Sequence, residues 1–238
     1  MSDQSSQQSG TRAWEQVLAH LEQMLLSGEV RPGQRLPGER VLAADLGVGR
    51  SSVREALRVM EALGLLRAQT GSGPNAGAMI VARPTGGISM LMRMQVAAQG
   101  FPVSDVVQAR LVLESEVVRT LASRRPAQDI AAEAVELLDS MDDEALSPAE
   151  FLILDAQFHV TLADAAGNQV VAAMMAGLRE SIESYVVERI DPVTWPKVSA
   201  RLREEHRGVV AAISVGDPNT AVCRIVDHIR GYYEGSGR

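Results

Sequence analysis

Four side chains in the second half of this 238-residue sequence are of the types that hold a divalent metal. Asp155 and His159 stand at i and i+4, so on a helix both project from one face. His206 and His228 lie eleven residues before and eleven residues after Asp217, within the turn Gly216-Asp217-Pro218. In an antiparallel helix hairpin that symmetry places the two imidazoles at equal depth, side by side. One carboxylate and three imidazoles converging inside a bundle make a mixed oxygen and nitrogen site for Zn, Ni, Mn or a similar divalent ion. A lone histidine is more often an ordinary core or surface residue, but four ligand-type residues at matched depths favour the metal. The remaining histidine, His20, falls outside the pattern, and no general base stands beside the four, so no catalytic residue is assigned.

A second chemistry sits near the start of the chain. Residues 31–70 carry seven arginines (31, 35, 40, 50, 54, 58 and 67) against Glu39, Asp45, Glu55 and Glu61. The run Arg50-Ser51-Ser52-Val53-Arg54 puts Arg50, Ser51 and Arg54 within one helical turn, while Val53 and Leu57 can face inward. Guanidinium groups presented this way suit guanine edges and phosphates of duplex DNA.

The elements that must position these groups follow from periodicity and punctuation. Trp14, Val17, Leu18, Leu21, Leu25 and Leu26 recur at helical spacing up to Gly28, after a Ser/Gln-rich tail over residues 1–10 expected to be disordered. Helices over 37–45 and 50–63 flank Gly47-Val48-Gly49, the pattern of a helix-turn-helix. Leu65–Gln69 and Ala78–Val81, around a Gly/Pro/Asn-rich turn, read as the β-hairpin of a winged variant. Residues 82–87 form a linker, and beyond it only helical signals occur, over 88–99, 103–124, 127–140, 148–165, 168–190, 197–215 and 218–234. The expected fold is mainly α: an N-terminal winged helix-turn-helix over 11–82, a linker and linker helix over 83–102, and an antiparallel bundle of six or seven helices over 103–238.

Composition agrees with this division. Aromatics are 3% of the chain, so the core rests on Ala, Val, Leu and Met. Residues 1–83 hold nine arginines against eight acids, whereas 84–238 hold fourteen basic against twenty-two acidic residues, a net of -8. A basic head on an acidic body points to polyanion contact through the head alone. No apolar run reaches the length of a membrane span, the start has no leader pattern, and the single Cys223 fits a reducing cytoplasm. Cys223 is expected to be buried, and Met90, Met92 and Met94 to pack between linker helix and bundle.

The segment Leu36–Arg67 resembles the DNA-binding domain of GntR-family bacterial transcription regulators, through Arg35-Leu-Pro-Gly-Glu-Arg40 and Val53-Arg-Glu-Ala-Leu57. The resemblance implies DNA contacts by Arg35, Arg40, Arg50, Ser51, Ser52 and Arg54, and a wing tip near Gly71 approaching the minor groove. Gly38 and Gly49 stand where the family often has Ser, which weakens both helix N-caps. Residues 103–230 resemble the helical ligand-binding domain of the FadR subfamily, through Asp155-Ala-Gln-Phe-His159, Ala166-Gly-Asn168, Glu205-His206 and His228-Ile229. That resemblance implies a divalent metal on Asp155, His159, His206 and His228, and a small carboxylate effector beside it. Arg110 matches the family's arginine for that carboxylate; the competing reading is an i, i+4 pair with Glu114. The expectation is a cytoplasmic, homodimeric transcription regulator on palindromic operator DNA. The alternative is a metal-dependent hydrolase using the His/Asp site.

Overall fold

The computed structural model describes residues 3–69, 77–81, 84–98, 100–124, 128–187 and 191–236. Two compact units divide the chain, Met1–Gly87 and Ile88–Arg238.

In the first unit, α1 (Asp3–Leu26) turns Val17, Leu21 and Met24 inward at four- and three-residue spacing, against Val53, Ala56 and Met60 of α3 (Arg50–Ala62). Helix α1 begins at Asp3, where a disordered tail was expected over residues 1–10. Ser and Gln are tolerable helix formers, so a helix anchored at Val17 propagates back through them. Helix α2 (Glu39–Leu46) is stopped by Gly47 at φ 64, a left-handed conformation that a Cβ would strain. The Val48 N–H donates to Ala43 O and the Gly47 N–H to Ala44 O, closing the helix end. Helices α2 and α3 start at Gly38 and Gly49 without a side-chain cap.

Strands β1 (Leu66–Gln69) and β2 (Gly77–Ile80) pair antiparallel with Leu66 opposite Ile80, both buried. A third partner was not foreseen. Arg35 bridges Met79, with Leu36 N–H donating to Ala78 O at 2.9 Å and Ile80 N–H to Gln34 O at 2.9 Å. The segment before α2 is thereby fixed to the wing. Residues 70–76, and with them Gly71, lie outside the described residues.

Helix α4 (Pro84–Ala97) crosses the division between the units. Within the second unit it closes on α8 (Gln169–Val187) at Gly177, where a Cβ would fall 2.8 Å from Met92 Cβ and 2.9 Å from Ser89 Cα. Met90 and Met94 are exposed, so of the three methionines only Met92 packs as expected. Helix α5 (Val103–Ser123) packs against α7 (Pro148–Ala166), α8, α9 (Trp195–Val215) and α10 (Pro218–Ser236); α6 (Gln128–Met141) covers α7 and α9. Val118, Leu121, Leu138, Phe151, Phe158, Leu202, Ile213 and Ile225 fill the centre. Helix α7 opens on a capping box: Glu150 N–H donates to Ser147 Oγ, and Ser147 N–H to Glu150 Oε2 at 2.8 Å. Gly216, at φ 74, turns α9 into α10. Cys223 is exposed on α10 rather than buried, because Ala221 and Ile225 take the inward positions. Among the described residues no helix is long and apolar enough to cross a membrane.

Candidate metal centre

Asp155 and His159 leave α7 one turn apart, and His206 on α9 meets them beside His228 on α10. All four are buried, and one ligand atom from each lies within 4.8 Å of every other. His206 Nε2 is 3.2 Å from His159 Nε2 and 3.2 Å from His228 Nε2, and 3.1 Å from Asp155 Oδ1. Metal–nitrogen bonds of 2.0–2.1 Å separate neighbouring donors by roughly 3.0–3.4 Å, the spacing found here. Asp155 Oδ1 is buried without an aligned hydrogen bond, an oxygen that a cation would satisfy. The equal depth expected for His206 and His228 about the Gly216 turn is what brings their rings to 4.4 Å between centroids.

Around these four lies a shell that sequence reasoning largely missed. His159 Nδ1 is 2.6 Å from Glu114 Oε2, and His228 Nδ1 is 2.8 Å from Glu205 Oε2. Both imidazoles therefore keep a proton on Nδ1 and a lone pair on Nε2, the tautomer a ligand needs. His206 differs. Its Nδ1 is buried without a hydrogen-bond partner, and its ring is seated by Phe158 at 4.7 Å between centroids. Arg179, on the apolar α8, donates from Nη1 to Asp155 Oδ2 at 2.6 Å and from Nη2 to Glu114 Oε2 at 3.3 Å. A single arginine among buried Ala173, Met175 and Leu178 was the available signal for a paired, buried charge.

Arg110 is buried beside this cluster, and its Nε donates to Glu114 Oε1 at 2.7 Å. The i, i+4 pair is thus formed, but in the interior, where removing either partner would strand a charge.

Burial alone would raise both carboxyl groups. For Glu114 the Arg110 and Arg179 guanidinium groups outweigh it, and for Asp155 Arg179 does, so both are held well below the usual carboxylate range. Burial pushes His159 and His228 the other way, well below an ordinary imidazole, with Arg179 adding to it at His159 and His206 at His228. These shifts favour neutral His159 and His228 beside charged Glu114 and Asp155, an arrangement suited to a cation.

In the first unit Arg35, Arg40, Arg50, Ser51 and Arg54 are exposed. Arg54 donates from Nε and Nη2 to the two oxygens of Glu39, at 3.3 and 2.9 Å, and Arg50 Nη2 lies 3.9 Å from the same carboxylate. The two arginines converge as the spacing required. Ser52 is less exposed than its neighbours, at 9%, because the helical period turns it towards Val53 and Ala56.

A winged helix-turn-helix carried in one chain with an all-helical sensor-like body defines a DNA-binding regulator rather than an enzyme. Residues 13–74 match the bacterial regulatory proteins of the gntR family, and residues 105–231 match the FCD domain. The chain belongs to the GntR family of bacterial regulatory proteins and carries an FCD domain. It is 33% identical over 223 residues to the HTH-type transcriptional repressor NanR of Citrobacter rodentium, covering 90% of this chain and 82% of that protein. The NanR of Salmonella typhimurium is 33% identical over 229 residues, covering 90% of this chain and 81% of its own. Among solved structures, Streptococcus agalactiae GntR is similar at a TM-score of 0.62 and 26% identity, over 93% of this chain and 99% of that one. These relationships set the hydrolase alternative aside.

Proposed function

We propose that the protein is a cytoplasmic, homodimeric transcription repressor whose operator affinity is set by a small carboxylate bound at a divalent metal in the helical body. Repression is the activity named for the NanR relatives. The observation that carries the metal reading is the buried Asp155 Oδ1 without an aligned hydrogen bond, gathered with the ring nitrogens of a three-histidine cluster. Zn, Ni and Mn all suit three imidazoles and one carboxylate. Bound there, a divalent ion would act as a Lewis acid that attracts an organic carboxylate. Arg110 and Arg179 supply the neighbouring positive charge, and Arg110 is the guanidinium assigned to the effector.

Residues 11–82 form the DNA-binding domain in this reading, 83–102 the linker and linker helix, and 103–238 the effector domain. Arg35, Arg40, Arg50, Ser51, Ser52 and Arg54 meet DNA, with the wing tip near Gly71 approaching the minor groove. A two-fold dimer presents two copies of α3 and so requires a palindromic site. Effector control acts through differential affinity for two dimer geometries, typically about 1 to 3 kcal/mol.

The test is a thermal-shift screen of small mono- and dicarboxylic acids on metal-loaded protein, followed by operator titration with each hit. A hit that changes operator affinity in wild type and loses binding in Arg110→Ala is the expected result. Hits that bind the variant equally well would remove Arg110 from the effector site.

A further inference from the structure

Two of the three histidines have a carboxylate behind them, but the two carboxylates are unlike. Glu205 is partly exposed, and among the described residues it pairs with His228 and with Arg201, its neighbour on α9 at 3.4 Å. Glu114 is fully inside and joins three helices. Its Oε1 takes Arg110 of α5, while its Oε2 takes the Nδ1 proton of His159 on α7 and Arg179 Nη2 on α8. Arg179 in turn spans from that oxygen to Asp155 Oδ2 at 2.6 Å. One carboxylate therefore bears on two of the four metal-ligand residues, directly on His159 and through Arg179 on Asp155.

We infer that Glu114 is a positioning residue of the metal centre, fixing the His159 tautomer and, through Arg179, reserving Asp155 Oδ1 for the ion. The inference rests on the metal reading above. With Oδ2 committed to Arg179, Asp155 offers one oxygen rather than two. The protein then supplies four donor atoms, three nitrogens and one oxygen, and an ion that prefers six ligands keeps two positions for small molecules. The competing account makes Glu114 only the counter-charge of Arg110.

A charge-neutral double variant separates the two accounts. Arg110→Met with Glu114→Gln removes one positive and one negative charge together, so the net charge of the interior is unchanged and Arg179 keeps Asp155. Cobalt(II) is the probe, followed by its visible absorption in competition with a chromophoric chelator. If Glu114 positions the ligands, wild type binds cobalt and the double variant binds it about 10 to 100 times more weakly. If Glu114 only balances Arg110, affinity stays within about twofold, and the inference is overturned while the metal reading stands. Failure of wild type itself to bind cobalt overturns both. A second measurement needs no variant: long-range proton–nitrogen correlation spectra of the metal-free wild type report each imidazole's tautomer. His159 protonated on Nδ1 is the expected result, and His159 protonated on Nε2 would overturn the inference.

Discussion

His159 and His206 face each other nitrogen to nitrogen, Nε2 to Nε2 at 3.2 Å, across 47 residues of chain. Because Glu114 holds the His159 proton on Nδ1, the His159 Nε2 is a bare lone pair. His206 can serve it with a proton or share a cation with it. A cation satisfies both rings and Asp155 Oδ1 at once, whereas a proton satisfies one contact.

The first prediction follows directly. Wild type reloaded with Zn, Ni or Mn should hold about one ion per chain, and His206→Ala or His228→Ala should hold almost none after desalting, since one of four donors is gone. Elemental analysis beside protein concentration decides it. Equal metal content in wild type and both variants would mean the ion sits elsewhere.

Operator binding should weaken by about 1 to 3 kcal/mol in Arg50→Ala and in Arg54→Ala, with the helical body still folded. Both side chains are exposed and gathered on Glu39, so neither has a packing role to lose. Binding should also fall steeply with salt as bound counterions are released. Titration at two salt concentrations, on a duplex selected by the wild-type protein, provides the comparison. Unchanged affinity in both variants would exclude α3 as the reading helix.

Metal-free protein should lose stability as pH falls from about 6.5, and the sign follows from burial. His159 and His228 have folded values held below the ordinary 6.5, so the unfolded chain takes up protons first and is favoured as pH drops. Glu114 and Asp155 are also held low, from ordinary values of 4.5 and 3.8, so their stabilisation is intact above those values and is lost only in stronger acid. Urea unfolding of chelator-treated protein between pH 8 and 5 reads the histidines, with an opposing contribution from Glu205, whose carboxyl burial pushes up. A flat profile over that range would contradict neutral buried imidazoles.

Ser147→Ala should destabilise the protein by about 0.5 to 2 kcal/mol by opening the capping box of α7. Ser147→Asp should recover most of it, since Asp is an equally good cap. Melting temperatures of the two variants in one buffer make the test; a null effect in Ser147→Ala would show that the tertiary packing of α7 alone fixes its start.

What the sequence made legible was whatever repeats at short range. The Asp155/His159 spacing and the symmetry of His206 and His228 about the Gly216 turn are enough to bring the four candidate ligand residues together. Gly47 marked the turn between α2 and α3 for the same reason, a local need for left-handed backbone. Contacts between distant segments were not legible. Glu114 already had a sufficient local partner in Arg110, so nothing in its neighbourhood pointed to His159, 45 residues on. Arg179 belongs to no spacing pattern, and only its apolar company marks it. The helical phase of Ser52, which turns it towards Val53 and Ala56, could be read from the sequence but was not used.

The depth of the four ligand residues, none more than 5% exposed, also bears on time. If an ion is held there as proposed above, it would leave and return more slowly than one on an exposed carboxylate cluster, because buried side chains must first move aside. Its occupancy would lag behind the metal concentration of the moment, while an organic anion on its open positions would follow concentration more closely.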